Sequence, residues 1–267
     1  MSEPQASGPG PVHQAPIDPI DDHRFTLIEH LTELRKRVGW SLLAVAIGTG
    51  LTAYFVDELF HFLVTPILPF LPPPGKLIVL SPLEQVVAYL RIAVISGVFV
   101  ASPAIFAQIW GFVSPGLYPR EKKFVLPFIF FGTAFFIGGA AFGFYVFLPM
   151  TFKFLVGVIP ADVMPQYTVE KYFSLVTQLL LAMGFIFELP LVIAMLSLAG
   201  IVTPAQLKKF RRYNVVLAVV LSAIITPTVD PYSQLLMAAP MIVFYELGIV
   251  FAVLTDRRRK ASAAGGA

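Results

Sequence analysis

The chain has no cysteine among its 267 residues. That excludes a disulfide framework, a thiol nucleophile and a thiolate metal site. Charge is scarce as well: Asp, Glu, Lys and Arg make up 13% of the residues, against about 25% in an ordinary soluble domain. The 4 histidines all lie outside the long apolar runs, and no HExxH, GxSxG or pair of apolar-embedded aspartates occurs. Hydrolytic catalysis therefore has almost no candidates. His30-x-x-Glu33 has metal-like spacing but no second ligand pair. No metal and no cofactor are expected.

What fills the chain is apolar. Hydrophobic residues reach 57% and the mean hydropathy is +0.79. Six apolar segments run near 38–56, 89–113, 124–148, 172–199, 213–226 and 235–254. A membrane-spanning helix takes roughly 20 such residues. The expected fold is all-α, a six-helix polytopic membrane domain over residues 23–256. An acidic, Pro/Gly/Ser/Gln-rich tail (1–22) precedes it and a basic, flexible tail (257–267) follows. The first tail lacks a basic start followed by an apolar core, so it is not a cleaved signal peptide.

The charge distribution orients the domain. The connectors 24–37, 114–123, 200–212 and 255–260 hold 15 of the 19 Lys and Arg residues; Lys76, Arg91, Lys153 and Lys171 remain for the other side. The positive-inside rule then puts both termini in the cytoplasm and makes the number of spans even. The net charge of +3 reflects this bias and implies no nucleic-acid partner.

Two segments depart from a plain bundle. Residues 213–226 give only 14 apolar positions, too few for a core of about 30 Å, so local thinning is expected there. The first outer connector carries Pro66, Pro69, Pro72, Pro73, Pro74 and Pro82. Proline fixes φ, which predicts a stiff external cap containing short helices such as DELFHFLV.

Polar residues in four places stand out. Glu188 is the lone charge in an apolar run from Leu179 to Gly200, and a carboxylate at that depth costs about 2.5–3.5 kcal/mol on insertion scales. HLTELRKR (His30–Arg37) abuts the first apolar segment, with Leu27, Leu31, Leu34 and Val38 at helical spacing. Its bland reading is an i,i+4 surface pair of Glu33 with Arg37. FVSPGLYPREKK (Phe112–Lys123) places Glu121 among Arg120, Lys122 and Lys123 in a proline-shaped loop. SAIITPTVDPYSQ (Ser222–Gln234) offers Thr226, Asp230, Ser233 and Gln234 at an outer turn.

Together HLTELRKR, FVSPGLYPREKK, GFIFELP and ITPTVDPYSQ resemble TatC, the six-span core of the twin-arginine protein translocase, in order and over roughly Phe25–Leu254. The sequence reads Pro-Thr-Val-Asp where some members have Pro-Pro-Asp, and its N-terminal tail is longer than in many relatives. The resemblance implies a concave, glove-like bundle. It also implies a receptor for signal peptides with consecutive arginines, which exports folded proteins using the proton gradient. Glu33 and Glu121 would hold the arginine pair, since carboxylates accept guanidinium as a bidentate fork. Arg35, Phe112, Leu117, Tyr118, Lys122 and Lys123 would shape that site. Glu188 would face the concave interior and meet a polar residue of a single-span partner. Thr226, Asp230, Ser233 and Gln234 would dock TatA- and TatB-type subunits, and Pro66 would matter in the cap. A homo-oligomer within the complex is implied. Glu246 and the small-residue motif Gly139–Gly143 read as structural, the latter as close helix packing within one subunit. The competing class is a proton-coupled secondary transporter with Glu188 as relay, although the two halves show no convincing repeat.

Overall fold

The computed structural model describes residues 19–73, 75–113, 125–160, 162–198, 200–226 and 230–264, with side chains between residues 29 and 256. Those residues form helices α1 (Pro19–Tyr54), α2 (Val56–Val64), α3 (Pro82–Val113), α4 (Val125–Phe142), α5 (Leu148–Val158), α6 (Val169–Phe187), α7 (Leu189–Leu198), α8 (Pro204–Ile225) and α9 (Pro231–Ala264). Of the expected tails, residues 1–18 and 265–267 lie outside the described residues.

Helix limits follow local chemistry. Thr203 opens α8 with a capping box: its hydroxyl accepts from the Gln206 amide, whose side chain accepts in return from the Thr203 N–H. Pro204 at the first helical position gives up a donor that has no partner there anyway. After α7, Gly200 takes a left-handed φ of 73°. The Ile201 N–H then reaches the Leu196 carbonyl and the Gly200 N–H reaches that of Ser197, which satisfies two end-of-helix carbonyls.

Among the described residues, four helical stretches are long and apolar enough to cross a membrane: Pro82–Phe112, Val125–Val158, Val169–Leu198 and Pro231–Asp256. The chain is a multi-pass membrane protein. The first expected span qualifies only jointly with α2, and the two helices bend by 80° at Phe55. The apolar stretch expected at 213–226 falls in the C-terminal part of the 22-residue α8. The N-terminal part carries Lys208, Lys209, Arg211 and Arg212, and their charges keep α8 below the hydropathy of a plain span.

Small residues set the helix crossings. A Cβ on Gly48 would sit 2.6 Å from the Gly97 carbonyl oxygen, so α1 and α3 touch backbone to backbone. Gly139 lies against the Met183 carbonyl and Gly184 against the Phe136 ring, which brings α4 onto α6. The motif at Gly139–Gly143 thus serves packing within the subunit, as its spacing suggested. A main core of Ile92, Phe147, Leu148, Phe173, Val176 and Met183 lies between α3, α4–α5 and α6. Between α4 and α5 the chain widens into a π-helical turn over Gly143–Phe147, just before Pro149. Proline lacks the N–H that a regular turn would need there.

The proline-rich connector is tied down as a cap. Ile67 is fully buried, Pro66 sits half-buried beside it, and the Tyr172 hydroxyl donates to the Leu63 carbonyl at 2.5 Å. Ile78 pairs with Thr168 in an isolated parallel bridge. Next to it, burial raises the pKa of the Tyr167 hydroxyl above the usual tyrosine value.

Candidate functional site

At the Arg/Lys-rich end, Glu29, Thr32, Glu33, Lys36, Arg37 and Trp40 line one groove with Gln108 of α3. On α1 these are steps of three and four residues, hence one helix face. The groove measures about 580 Å³. Leu31, Leu34 and Val38 occupy a different, exposed face, and the whole segment continues without a break into the apolar part of α1.

Glu33 is engaged. Arg37 donates to its Oε1 from Nε at 3.0 Å and from Nη2 at 2.7 Å. The pair anticipated at i,i+4 therefore forms with Arg37. The guanidinium also reaches α3, where it lies where a side chain on Gly111 would be. One turn earlier, the His30 ring stacks on Phe112 with centroids 4.4 Å apart. These two contacts fix the end of α3, from which the 114–124 connector departs. Arg35, expected to shape the site, is exposed and is not among the residues lining the groove. Leu117, Tyr118, Glu121, Lys122 and Lys123 lie outside the described residues.

Glu188 occupies the junction between α6 and α7. Leu189 and Pro190 open α7, so the helix expected to kink at this proline is interrupted here. Glu188 is 7% exposed, and its Oε1 has no hydrogen-bond partner among the described residues. Leaving a buried acceptor unpaired costs about 1–3 kcal/mol. Glu188 does not line the apolar cavity of about 340 Å³ bounded by Thr52, Leu59, Phe99, Phe144 and Thr177. In that cavity the Thr52 hydroxyl donates to the Ala93 carbonyl at 2.7 Å and that of Thr177 to the Phe173 carbonyl at 2.6 Å. Its walls are apolar in effect.

Several polar groups flanking the α8–α9 junction bond within the chain. The Thr226 hydroxyl donates to the Ser222 carbonyl at 2.7 Å. The Asp230 carboxylate accepts from the Ser233 N–H at 2.7 Å, an N-terminal cap for α9. The Gln234 side chain donates to the Val219 carbonyl of α8 at 3.0 Å. Ser233 is fully buried, and its hydroxyl has no partner among the described residues. Gln178 of α6, which sequence reading passed over, donates to the Ile225 carbonyl at 2.9 Å and closes the end of α8. At the opposite end of α8, Arg211 donates to Glu246 at 2.6 Å and links α8 to α9, a structural role as expected for Glu246.

Residues 29–240 match the family profile described as Sec-independent protein translocase protein (TatC). A protein of that name from Koribacter versatilis is 37% identical over 241 residues, which cover 88% of this chain and 89% of its own. One from Aquifex aeolicus is 39% identical over 236 residues, covering 88% of this chain and 97% of its own. The crystal structure of a twin arginine translocase receptor, TatC, superposes with a TM-score of 0.76 at 39% identity, over 85% of this chain and 99% of the other. With sequence, fold and coverage in agreement, the chain belongs to the TatC family of Sec-independent protein translocase proteins.

Proposed function

We propose that the chain is the receptor and scaffold of a twin-arginine translocase. It recognises consecutive arginines of a signal peptide at its cytoplasmic face and takes part, with single-span TatA- and TatB-type subunits, in exporting folded proteins at the expense of the proton gradient. It spans the inner membrane six times with both termini in the cytoplasm, works as a homo-oligomer within the complex, and catalyses no covalent chemistry. The observation that carries this reading is the groove on α1. There a carboxylate, Glu33, already holds a guanidinium through two hydrogen bonds. Such charge-assisted pairs are the strong and geometrically selective ones. Glu121 supplies the second carboxylate, and Phe112, Leu117, Tyr118, Lys122 and Lys123 shape or orient the recognition site.

Glu188 and the outer edge of α8 and α9 are the partner sites in this reading. A buried acceptor without a partner suits a polar side chain brought in by a transmembrane helix, and Thr226, Asp230, Ser233 and Gln234 mark the edge beside the apolar part of α8 where such a helix docks. The test is photo-crosslinking of a signal peptide carrying Arg-Arg to the full chain in membranes. Glu33→Ala and Glu121→Ala should each weaken the crosslink while insertion is unchanged. Undiminished crosslinking in the double variant would refute the assignment.

A further inference from the structure

The apolar cavity of about 340 Å³ beside Thr52 and Thr177 belongs to neither the arginine groove nor the Glu188 junction. α3 and α4 touch through Phe99 and Phe136, whose ring centroids lie 4.9 Å apart. Farther along, Phe62 of α2 stacks on Phe144 with centroids at 4.6 Å. Between these two contacts the helices leave a slot, backed by buried Ile92 of α3 and Leu180 of α6. Val100, Ile137 and Tyr145 are exposed along its mouth. The two wall segments, 92–100 and 137–145, sit midway along Pro82–Phe112 and Val125–Val158, both long and apolar enough to cross a membrane. The mouth therefore opens onto hydrocarbon, not onto water.

We propose that this slot seats one acyl tail of a membrane phospholipid. Its polarity excludes water and polar ligands. The Thr52 and Thr177 hydroxyls donate to carbonyls of the chain, and Ser96 adds a single further hydroxyl to the wall. A buried water needs two to four polar partners. The dimensions exclude a helix of a partner or signal peptide. Ile92 to Val100 spans about 12 Å at 1.5 Å per residue. Spread over that length, about 340 Å³ leaves a cross-section of roughly 28 Å², some 6 Å across, against about 10–12 Å for a helix with its side chains. A single polymethylene chain fits that width. The length suits it as well, since one leaflet is about 15 Å deep, half of a core of about 30 Å. The volume is also more than twice the roughly 150 Å³ of an apolar cavity that takes up benzene. A tail in the slot is packed on both flanks and behind, so it keeps dispersion contacts that a tail lying on an open helix face lacks.

The experiment reconstitutes the purified full chain in phosphatidylcholine vesicles containing a small fraction of phosphatidylcholine with a photoreactive diazirine on one tail. After illumination, mass spectrometry maps the lipid adducts along the chain. Adducts on 92–100 and 137–145 should exceed those on the exposed face of α9 (Val243, Leu247 and Val250) by about fivefold, which corresponds to about 1 kcal/mol of preference. Ala141→Phe puts a ring into the slot and should bring the two regions level. Val243→Phe adds the same bulk on α9 and should leave the excess intact. Ser96→Leu, which also narrows the slot, decides the question alone if Ala141→Phe does not elute as a folded species. Equal labelling of slot and α9 in the unaltered chain, or an excess that survives filling, overturns the proposal. A photo-crosslinking residue at Ser96 in native membranes supplies the second reading: a lipid adduct supports the acyl seat, whereas capture of a signal peptide or a single-span subunit there overturns it.

Discussion

Replacing Gly97 by alanine drives a methyl group into the crossing of α1 and α3. The added Cβ would lie 2.5 Å from the Thr49 amide nitrogen, 2.6 Å from its Oγ1 and 2.7 Å from its Cα, where ordinary contact begins at 3.4 Å. Two of these three atoms are backbone and cannot rotate aside, so the helices must part by about 1 Å. Overpacking of this kind costs about 1–3 kcal/mol. Parting also stretches the Thr52 hydroxyl bond to the Ala93 carbonyl, and interhelical bonds of this type in membranes average about 0.6 kcal/mol. Alanine returns up to about 1 kcal/mol through helix propensity. The net loss should be about 1–2 kcal/mol. Gly50→Ala is the matched control, because a Cβ there meets nothing within 4 Å; only the propensity gain remains, up to about 1 kcal/mol of stabilisation. Titration from mild detergent into SDS, followed by tryptophan fluorescence, reads both. The chain has two tryptophans, Trp40 on α1 and Trp110 on α3, so the signal reports the pairing in question. The midpoint should fall for Gly97→Ala and hold or rise for Gly50→Ala. Coincident midpoints for the two variants would show that α1 and α3 do not meet backbone to backbone.

Glu188→Leu should raise resistance to SDS by about 1–3 kcal/mol, because it removes a buried acceptor that has no partner, and it should abolish crosslinking to a single-span partner helix. Glu188→Gln keeps a polar group in place and should retain that crosslink; its loss in the glutamine variant would mean the partner reads charge. Gln178→Ala strips the end of α8 of the donor to the Ile225 carbonyl. It should speed hydrogen exchange in the last turns of α8, with a stability loss of about 0.5–1.5 kcal/mol, and unchanged exchange there would assign the capping to another group.

Much of the molecule is written in local patterns. Apolar runs, the Lys and Arg bias of the connectors, the proline-stiffened cap with α2 inside it, and the interruption beside Pro190 are all visible without knowing which helix meets which. So is the burial of Glu188, because a carboxylate amid more than a dozen apolar neighbours has few places to go. The i,i+4 pairing of Glu33 with Arg37 was also legible, since both residues lie on one helix face. The span limits were less so: α8 is a helix half as long again as its apolar part, because capping and propensity extend it through a cationic stretch that hydropathy rejects.

The rest depends on contacts between residues far apart in the chain. Gly48 and Gly97 read as indifferent helix interruptions until α1 is laid on α3, where their missing side chains permit the backbone approach. Gly111 acquires meaning only from the Arg37 guanidinium that fills its place, and His30, weighed as a metal ligand, turns out to stack on Phe112. Gln178 and Gln234 cap carbonyls of a helix 47 and 15 residues away in sequence. Hydrophobicity and charge act position by position, so the apolar helices that cross the membrane are legible from the sequence alone. Which glycine faces which backbone, and which cation settles on which carboxylate, is decided by close packing across helices. A one-dimensional pattern does not encode that geometry.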